Sequence, residues 1–449
     1  MKIGIIGAGY VGLTTAICLA FMKHEISIFD INEEKIKQIC EKKLPFFERG
    51  LQEILENVIS SKNLIPVKNL NELVANTEGC FICVGTPTKA NSIDLTQIID
   101  AVKSLADSIK QNEKNDYKII IRSTIIPNTA RNTILPILND KLHELKFGLS
   151  VVPEFLREGN ALDDFMNVDK IVVGSSDENS MIFVKKIFEN FKGRCEFVET
   201  SLESAELIKY TNNAFFSMLI SFSNEIANIS EKIPGVDSHE ILKALISDKR
   251  ITSIINNEKI VPGLESYLIP GCGFGGSCFP KDIQAILDYA KKNKIKTPLL
   301  NAILEINEER PNKMVTLSES ILGTLKNKRV SILGLTFKPE TDDLRSSPAL
   351  DAIEILLKKG ANISTFDPIL KSKLDLVKLP KECKTCFRIE DALRDSDVVM
   401  IFTKWPEFKS LDAKFLKQFM KNPIIIDGRG FLDKEKFDVG TYFKIGYSE

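Results

Sequence analysis

The chain has 449 residues, 43% hydrophobic and 27% charged, which is ordinary for a globular protein and long enough for roughly two to four domains. Its 60 Lys and Arg against 61 Asp and Glu leave a formal net charge of −1, so nothing in the overall balance points to nucleic acid or an anionic membrane as partner. A local cationic pocket for an anionic small molecule is compatible with that balance.

The first element is KIGIIGAGYVG. Residues 3–22 are almost wholly apolar, and a hydropathy window alone would read a signal peptide or membrane anchor there. Gly7, Gly9 and Gly12 instead fall at the spacing of a dinucleotide-binding turn, which predicts a strand, a tight turn and a helix to about Lys23. EISIFDI (25–31) reads as a second strand and NEEKIKQICEKK as the helix after it. GCFICVGTP (79–87), a helical stretch near 95–110, YKIIIRST (117–124), FGLSVVPEF and KIVVGS continue the alternation. Short apolar strands between amphipathic helices indicate a parallel, doubly wound sheet. From Ser201 the pattern is helical for about thirty residues without Gly or Pro, and HEILKALISD and DIQAILDYAKKNK add more helix. The strand–helix rhythm returns at KRVSILGLTF (328–337), GANISTFDP (360–368), SDVVMIFTKW (396–405) and PIIIDGRG (423–430). The organisation is α/β, helical, α/β.

Three constellations carry chemistry. In Gly7-Ala8-Gly9-Tyr10-Val11-Gly12 one glycine allows the turn, the next lets backbone approach a pyrophosphate, and the third lets helix and strand pack closely. Asp30 lies 18 residues after Gly12, at the end of the second strand, where an acid binds ribose hydroxyls and favours NAD over NADP. Lys35 either adds a cation for the cofactor or is a solvated helix-surface lysine. In GCGFGGSCFPKD (271–282), four glycines free the backbone for close approach to a ligand. Cys278 stands there just before Pro280, next to a helix start and beside Lys281 and Asp282; a helix N-terminus and a cation both stabilise a thiolate. An isolated cysteine would read as a small buried hydrophobe, but this setting fits a nucleophile. Lys209 and Asn213, spaced i, i+4, share one helix face, and an ammonium beside an amide suits a developing oxyanion.

Nine scattered cysteines with no secretory pattern read as reduced thiols of the cytoplasm. Cys272 is a loop filler or a redox partner for Cys278. Cys80 and Cys83 lie in a strand and face opposite sides, while Cys383 and Cys386 lie in a charged, loop-like stretch without a second ligand pair. No metal is expected. His24, His143 and His239 are the three histidines, and none sits in a recognisable motif.

GAGYVG, PEFLREG (153–159), ELIKYTNNAF (206–215), FGGSCFPKD (274–282), FKPETDDLRSSPA (337–349) and DGR (427–429) occur in this order. Together they resemble the UDP-glucose/GDP-mannose dehydrogenases over essentially the whole chain. The resemblance implies two Rossmann-like doubly wound lobes joined by a central helical domain with a long helix that dimerises. The expected domains are 1–198 (NAD-binding), 199–312 (dimerisation and catalysis) and 313–449 (nucleotide-sugar binding). The implied reaction is a four-electron oxidation of a nucleotide sugar at C6, UDP-glucose to UDP-glucuronate, through a thiohemiacetal and a thioester on Cys278. In the family pattern Lys209 and Asn213 match residues that hold the C6 oxygen, and Asp282 matches one that orients the hydrolytic water. Thr124 and Glu158 match the water and proton-transfer group, and Glu154 the acid of its loop. Gly7, Gly9, Tyr10, Val11, Gly12, Asp30, Lys35, Thr86, Thr124, Glu158 and Arg345 are expected around NAD. Glu154, Phe155, Leu156, Lys209, Asn213, Arg250, Tyr267, Phe274, Gly275, Lys338 and Arg429 are expected around the UDP-sugar, Arg250 reaching a neighbouring subunit's site. Two features depart from the family: a longer segment between Arg250 and Tyr267, and Ile269 where a lysine or other polar residue is common. UDP-N-acetylmannosamine or GDP-mannose as donor is the alternative within the chemistry. A two-electron hydroxyacid or 6-phosphogluconate type of dehydrogenase, or a non-catalytic NAD-binding protein, lies further off, since neither needs a thiol at a helix start. A homodimer or higher homo-oligomer in the cytoplasm is expected, with no membrane or nucleic-acid partner.

Overall fold

The runs KIGII, EISIF, GCFI and YKIII put Ile and Phe on both faces of their strands, as a sheet covered on both sides requires. In the computed structural model, which describes residues 1–89, 92–255, 258–370 and 379–447, they are β1 (Lys2–Ile6), β2 (Glu25–Phe29), β4 (Gly79–Ile82) and β7 (Tyr117–Ile121). With β3 (Leu64–Pro66), β8 (Phe147–Val151), β9 (Lys170–Ser175) and β10 (Glu196–Thr200) they form an eight-stranded sheet of order β10-β9-β8-β7-β4-β1-β2-β3. A hairpin of β5 (Thr88–Lys89) and β6 (Ser92–Ile93) stands outside it. Six strands are parallel. β9 meets β8 antiparallel and β10 lies parallel to β9, so the parallel expectation fails at that edge, where KIVVGS runs against β8. Ile3, Ile5, Leu13 and Ile17 pack one face, and Ile6, Ile82, Ile119 and Ile121 the other.

The apolar stretch 3–22 is split into β1, the glycine turn and helix α1 (Tyr10–Phe21). Among the described residues no helix is long and apolar enough to cross a membrane.

The chain divides into two units, Met1–Asn212 with Gln284–Lys292, and Asn213–Ile283 with Asn293–Glu449. The expected long helix is Leu202–Ser230, 29 residues, and the division falls within it. In the second unit β11 (Ser253–Ile255) and β12 (Glu258–Ile260) pair as an antiparallel hairpin in the segment that departs from the family. The sheet there is built from β13 (Arg329–Leu333), β14 (Asn362–Phe366), β15 (Cys383–Thr385), β16 (Val398–Ile401), β17 (Ile425–Asp427) and β18 (Tyr442–Lys444). Its order is β15-β14-β13-β16-β17-β18 and every pairing is parallel. Cys383 therefore lies on a strand, not in a loop; its backbone pairs with Ile363 of β14, and Cys386 is buried just beyond. Counted along the chain, the six parallel strands of the first sheet and the six strands of the second both follow the doubly wound order 3-2-1-4-5-6.

Candidate active site

The turn between β1 and α1 fits a dinucleotide for three separate reasons. Gly7 has φ +99°, where a side chain would be strained. A Cβ on Gly12 would stand 1.9 Å from the Gly7 carbonyl oxygen, whereas one on Gly9 would meet nothing within 4 Å. The backbone at Gly9 is thus open to a ligand at the start of α1, whose N-cap is Gly9 and brings no side-chain cap, so the first-turn N–H groups face outward for a pyrophosphate. Asp30 follows β2; its Oδ2 accepts from Ala8 N at 2.6 Å and its Oδ1 from Asn32 N at 2.8 Å. The Lys35 ammonium lies 3.4 Å from Asp30 Oδ2, so this lysine steadies that carboxylate. Tyr10 and Val11 occupy the first turn of α1.

Beyond the strand ends of the same unit stands a group of polar residues. Thr86 Oγ1 donates to the Thr124 carbonyl at 2.8 Å, tying the loops after β4 and β7 together. Lys209 is buried, and its Nζ donates to the Glu154 carbonyl at 2.7 Å and to Glu154 Oε1 at 3.0 Å. Glu154 Oε2 accepts from Leu156 N at 2.6 Å, and the Phe155 ring centroid lies 5.5 Å from the Lys209 ammonium. Burial pushes the Glu154 carboxyl up, but the Lys209 ammonium and the Arg122 guanidinium more than reverse this, holding it below the usual carboxylate range. Glu158 is half-buried and followed by Gly159 at φ +79°.

In the second unit Cys278 immediately precedes the helix Phe279–Lys292, and its carbonyl accepts from Asp282 N at 2.8 Å. The thiol is half-buried and lies 3.5 Å from Ser277 Oγ. Asp282 is buried; its Oδ2 accepts from Asn213 Nδ2 at 2.6 Å and its Oδ1 from the Lys281 ammonium. The cation expected to serve the thiolate is thus paired with the neighbouring carboxylate. A Cβ on Gly275 would stand 2.1 Å from the Ser346 carbonyl, and one on Gly276, at φ +85°, would strike the Phe337 ring. These glycines are needed for the close packing of 274–277 on 337–346. Phe274, Phe216, Tyr267 and Phe279 form an aromatic cluster beside the thiol, with the Phe216 and Tyr267 centroids 4.4 Å apart.

The cations expected around the substrate, and Arg345 expected on the cofactor, are each engaged. Arg429 donates to the carbonyls of Phe402 (2.6 Å), Gly273 (3.0 Å) and Phe337 (3.3 Å), stitching the glycine-rich segment to two strand ends. Lys338 Nζ stands 5.6 Å from the Phe337 ring centroid. Arg345 makes a two-pronged pair with Asp343, and its carbonyl accepts from Gly276 N. Arg250, with 85% of its side chain exposed, pairs with Asp248, and Ile269 is exposed. Cys272 is fully buried and its thiol donates to the Phe402 carbonyl at 3.4 Å, a packing role. Among the described residues no cluster of His, Cys, Asp or Glu is placed to hold a metal, and no disulfide links the described cysteines.

Several supporting residues carry no local sequence signal. Glu48 accepts from Tyr10 Oη and from the backbone amides of Gly159 and Ala161. Glu206 accepts from Asn128 N (2.6 Å) and Ala130 N (2.7 Å), and Asn128 has φ +72° as its residue type tolerates. Asn224 Oδ1 accepts from Gly271 N, Arg310 Nε donates to Gly271 O, and Asn307 bonds both N and O of Phe274. Their partners are mostly backbone groups far away in the chain, which no spacing rule encodes.

Known proteins match the chain over essentially its whole length. Residues 1–192 match the NAD binding domain of the UDP-glucose/GDP-mannose dehydrogenase family, residues 203–309 its central domain and residues 331–434 its UDP binding domain. A UDP-glucose 6-dehydrogenase of Rickettsia conorii is 36% identical over 452 residues, covering 100% of this chain and 98% of the relative. One from Bacillus subtilis is 34% identical, covering 98% and 92%. Among solved structures, a UDP-glucose dehydrogenase from the hyperthermophilic archaeon Pyrobaculum islandicum superposes with a TM-score of 0.89 at 30% identity, covering 100% of this chain and 98% of that one. A UDP-D-ManNAc dehydrogenase from Pyrococcus horikoshii gives 0.84 at 26%, covering 99% of each. With all three family domains matched in order, an open dinucleotide turn and a thiol at a helix start, the chain is an NAD-dependent enzyme and belongs to the UDP-glucose/GDP-mannose dehydrogenase family.

Proposed function

We propose that this enzyme oxidises the C6 hydroxyl of UDP-glucose to the carboxylate of UDP-glucuronate. The observation that carries the mechanism is Cys278 at the N-terminus of a helix whose first turn holds Asp282, itself bonded to Asn213. Gly7 to Gly12, Asp30 and Thr86 would hold NAD+, which would supply the hydride acceptor for each of the two oxidations. Lys209, already aimed by Glu154, and Asn213 hold the C6 oxygen as negative charge builds on it. Cys278 adds its sulfur to the aldehyde carbon, so the reactive intermediate stays covalently bound as a thiohemiacetal, and loss of the second hydride leaves a thioester. Asp282 orients the water that attacks the thioester, Thr124 and Glu158 manage its proton, and the carbon–sulfur bond breaks to return the thiol. Over the cycle one alcohol, two NAD+ and one water become one carboxylate, two NADH and three protons.

Residues 1–198 serve NAD, 199–312 catalysis and self-association, and 313–449 the UDP-sugar, with Lys338, Arg429, Phe274, Gly275 and Tyr267 on the substrate and Arg345 on the cofactor. Leu207, Phe215, Phe222 and Ile229 leave the long helix partly uncovered, the last three at intervals of seven residues. A second copy covering that stripe makes the homodimer and gives Arg250 a partner's site to reach. The absence of disulfides supports a reducing compartment, the cytoplasm. The test is NADH released per sugar consumed, across UDP-glucose, UDP-N-acetylmannosamine and GDP-mannose. Two NADH per UDP-glucose, lost in Cys278→Ser with NAD+ binding retained, is the expected result. One NADH per sugar, or an active serine variant, refutes the covalent route. Two NADH from another donor only moves the substrate, with the 251–266 segment and Ile269 as the residues responsible.

A further inference from the structure

Glu48 lies in the loop between the helices Glu33–Cys40 and Leu51–Ser60, away from every motif that names the family chemistry, yet it is only 4% exposed. A carboxylate taken out of water needs full hydrogen bonding, and each partner of Glu48 flanks machinery. Its Oε2 accepts from Tyr10 Oη at 2.5 Å and from Gly159 N at 2.8 Å, and its Oε1 accepts from Ala161 N at 2.8 Å. Tyr10 belongs to the dinucleotide turn, and Gly159 is the residue after Glu158. Gly159 sits at φ +79°, so the backbone folds back there to present its amide to Glu48. The same side chain therefore grips both ends of a connection that spans more than a hundred residues of sequence.

We propose that Glu48 is a positioning residue for the reaction: it fixes the Glu158 loop against the cofactor turn, so that Glu158 and the dinucleotide are held in register. This rests on the assignment of Glu158 to proton transfer. Two further observations support it. Burial, then the Glu48 and Glu158 carboxylates, push the Tyr10 hydroxyl far above its usual range, so Tyr10 stays a neutral donor that bridges to Glu48 throughout the working pH range. The Tyr10 ring also packs on Phe46, at 4.8 Å between centroids, which seats the loop carrying Glu48 on the first turn of α1. Replacing the carboxylate by an amide leaves one acceptor oxygen where three donors converge and turns an NH2 group towards a backbone N–H. The loop then shifts, and misplacing a reacting group by ~1 Å costs up to ~100-fold in rate.

The experiment is a double-mutant cycle on the full-length enzyme with Glu48→Gln, Glu158→Gln and the pair, read as kcat, KM for NAD+, NAD+ affinity by calorimetry and Tm. Glu48→Gln should lower kcat by roughly ten- to a hundredfold and raise KM for NAD+, and its effect on kcat should vanish when Glu158 is already Gln. A role confined to folding would lower Tm and cost the same factor in both backgrounds; that additivity, or wild-type kcat in Glu48→Gln, overturns the proposal. Wild-type kcat in Glu158→Gln alone overturns the assignment of Glu158 instead, and is read from the single variant before the cycle is closed. Should Glu48→Gln not fold, Tyr10→Phe removes one of the three bonds and carries the same cycle, with the same two outcomes.

Discussion

A buried carboxylate that accepts two backbone amides is as much a stability element as an active-site support, and Glu206 shows the energetic sign of that position. It is 2% exposed, and burial pushes its carboxyl from 4.5 up to about 7, against the pull of the Ala130 and Asn128 amides; the Glu203 carboxylate adds to the rise and Arg131 opposes it. The folded state thus holds a proton that the unfolded chain releases at lower pH. The stability linked to that proton, about 3 kcal/mol for a shift of this size, is fully present below pH 4.5 and is lost as pH rises through about 7. Plotted against pH, Tm of the wild type should therefore fall relative to Tm of Glu206→Gln across this window. Parallel curves would show that Glu206 keeps an ordinary carboxyl. At this scale the placement of residues was legible inside a local pattern: Cys278 and Asp282 stand at a helix start, and Lys209 and Asn213 lie one turn apart on one helix. The sequence was silent on Glu48 and Glu206, whose partners are amides of loops brought near only by the finished sheet. Lys281, expected beside the thiolate, pairs with the carboxylate next in sequence.

Among the elements, the strand–turn–helix unit at the N-terminus separates the packing role of glycine from the binding role. Gly12→Ala must displace a carbonyl that would stand 1.9 Å from the new methyl, a strain of about 1–3 kcal/mol that should lower Tm by several degrees. Gly9→Ala meets no protein atom within 4 Å, so its Tm should stay at the wild-type value while NAD+ affinity drops, because the methyl occupies space the pyrophosphate needs. Calorimetry and thermal melts on the two variants check this; a Gly9→Ala enzyme with undiminished NAD+ affinity would remove that glycine from the cofactor site. Long elements were the ones readable in advance, since apolar runs and a 29-residue helical pattern outweigh local noise. Beside the two-stranded pairs β5–β6 and β11–β12, the missed strands are β3, β10, β15 and β18, three to five residues each, and they exist because a sheet edge offers pairing, not because of their own propensity. The reversed edge formed by β9 and β10 carries no sequence signal either, for an apolar strand reads alike in both directions.

For the whole molecule, the proposed homodimer uses the exposed stripe of the long helix. Phe215 is 45% exposed, Phe222 41% and Ile229 56%, and an uncovered row of this kind marks an interface. Phe222→Lys should convert the dimer to a monomer in sedimentation velocity, whereas an unchanged sedimentation coefficient would place the interface elsewhere. The two sheets share a strand order, and the likeness extends to single atoms: Gly7 N donates to the Phe29 carbonyl and Gly334 N to the Phe366 carbonyl, each at 2.8 Å, and an aspartate follows in both cases. The fates of those aspartates differ. Asp30 keeps an edge towards solvent, but Asp367 is buried and already accepts from Leu335 N, Thr336 N, Thr336 Oγ1, Ile369 N and Trp405 Nε1. A dinucleotide presented to the second sheet would find the matching carboxylate spoken for, so a single architectural plan, used twice, leaves its two aspartates unequally open to a ligand.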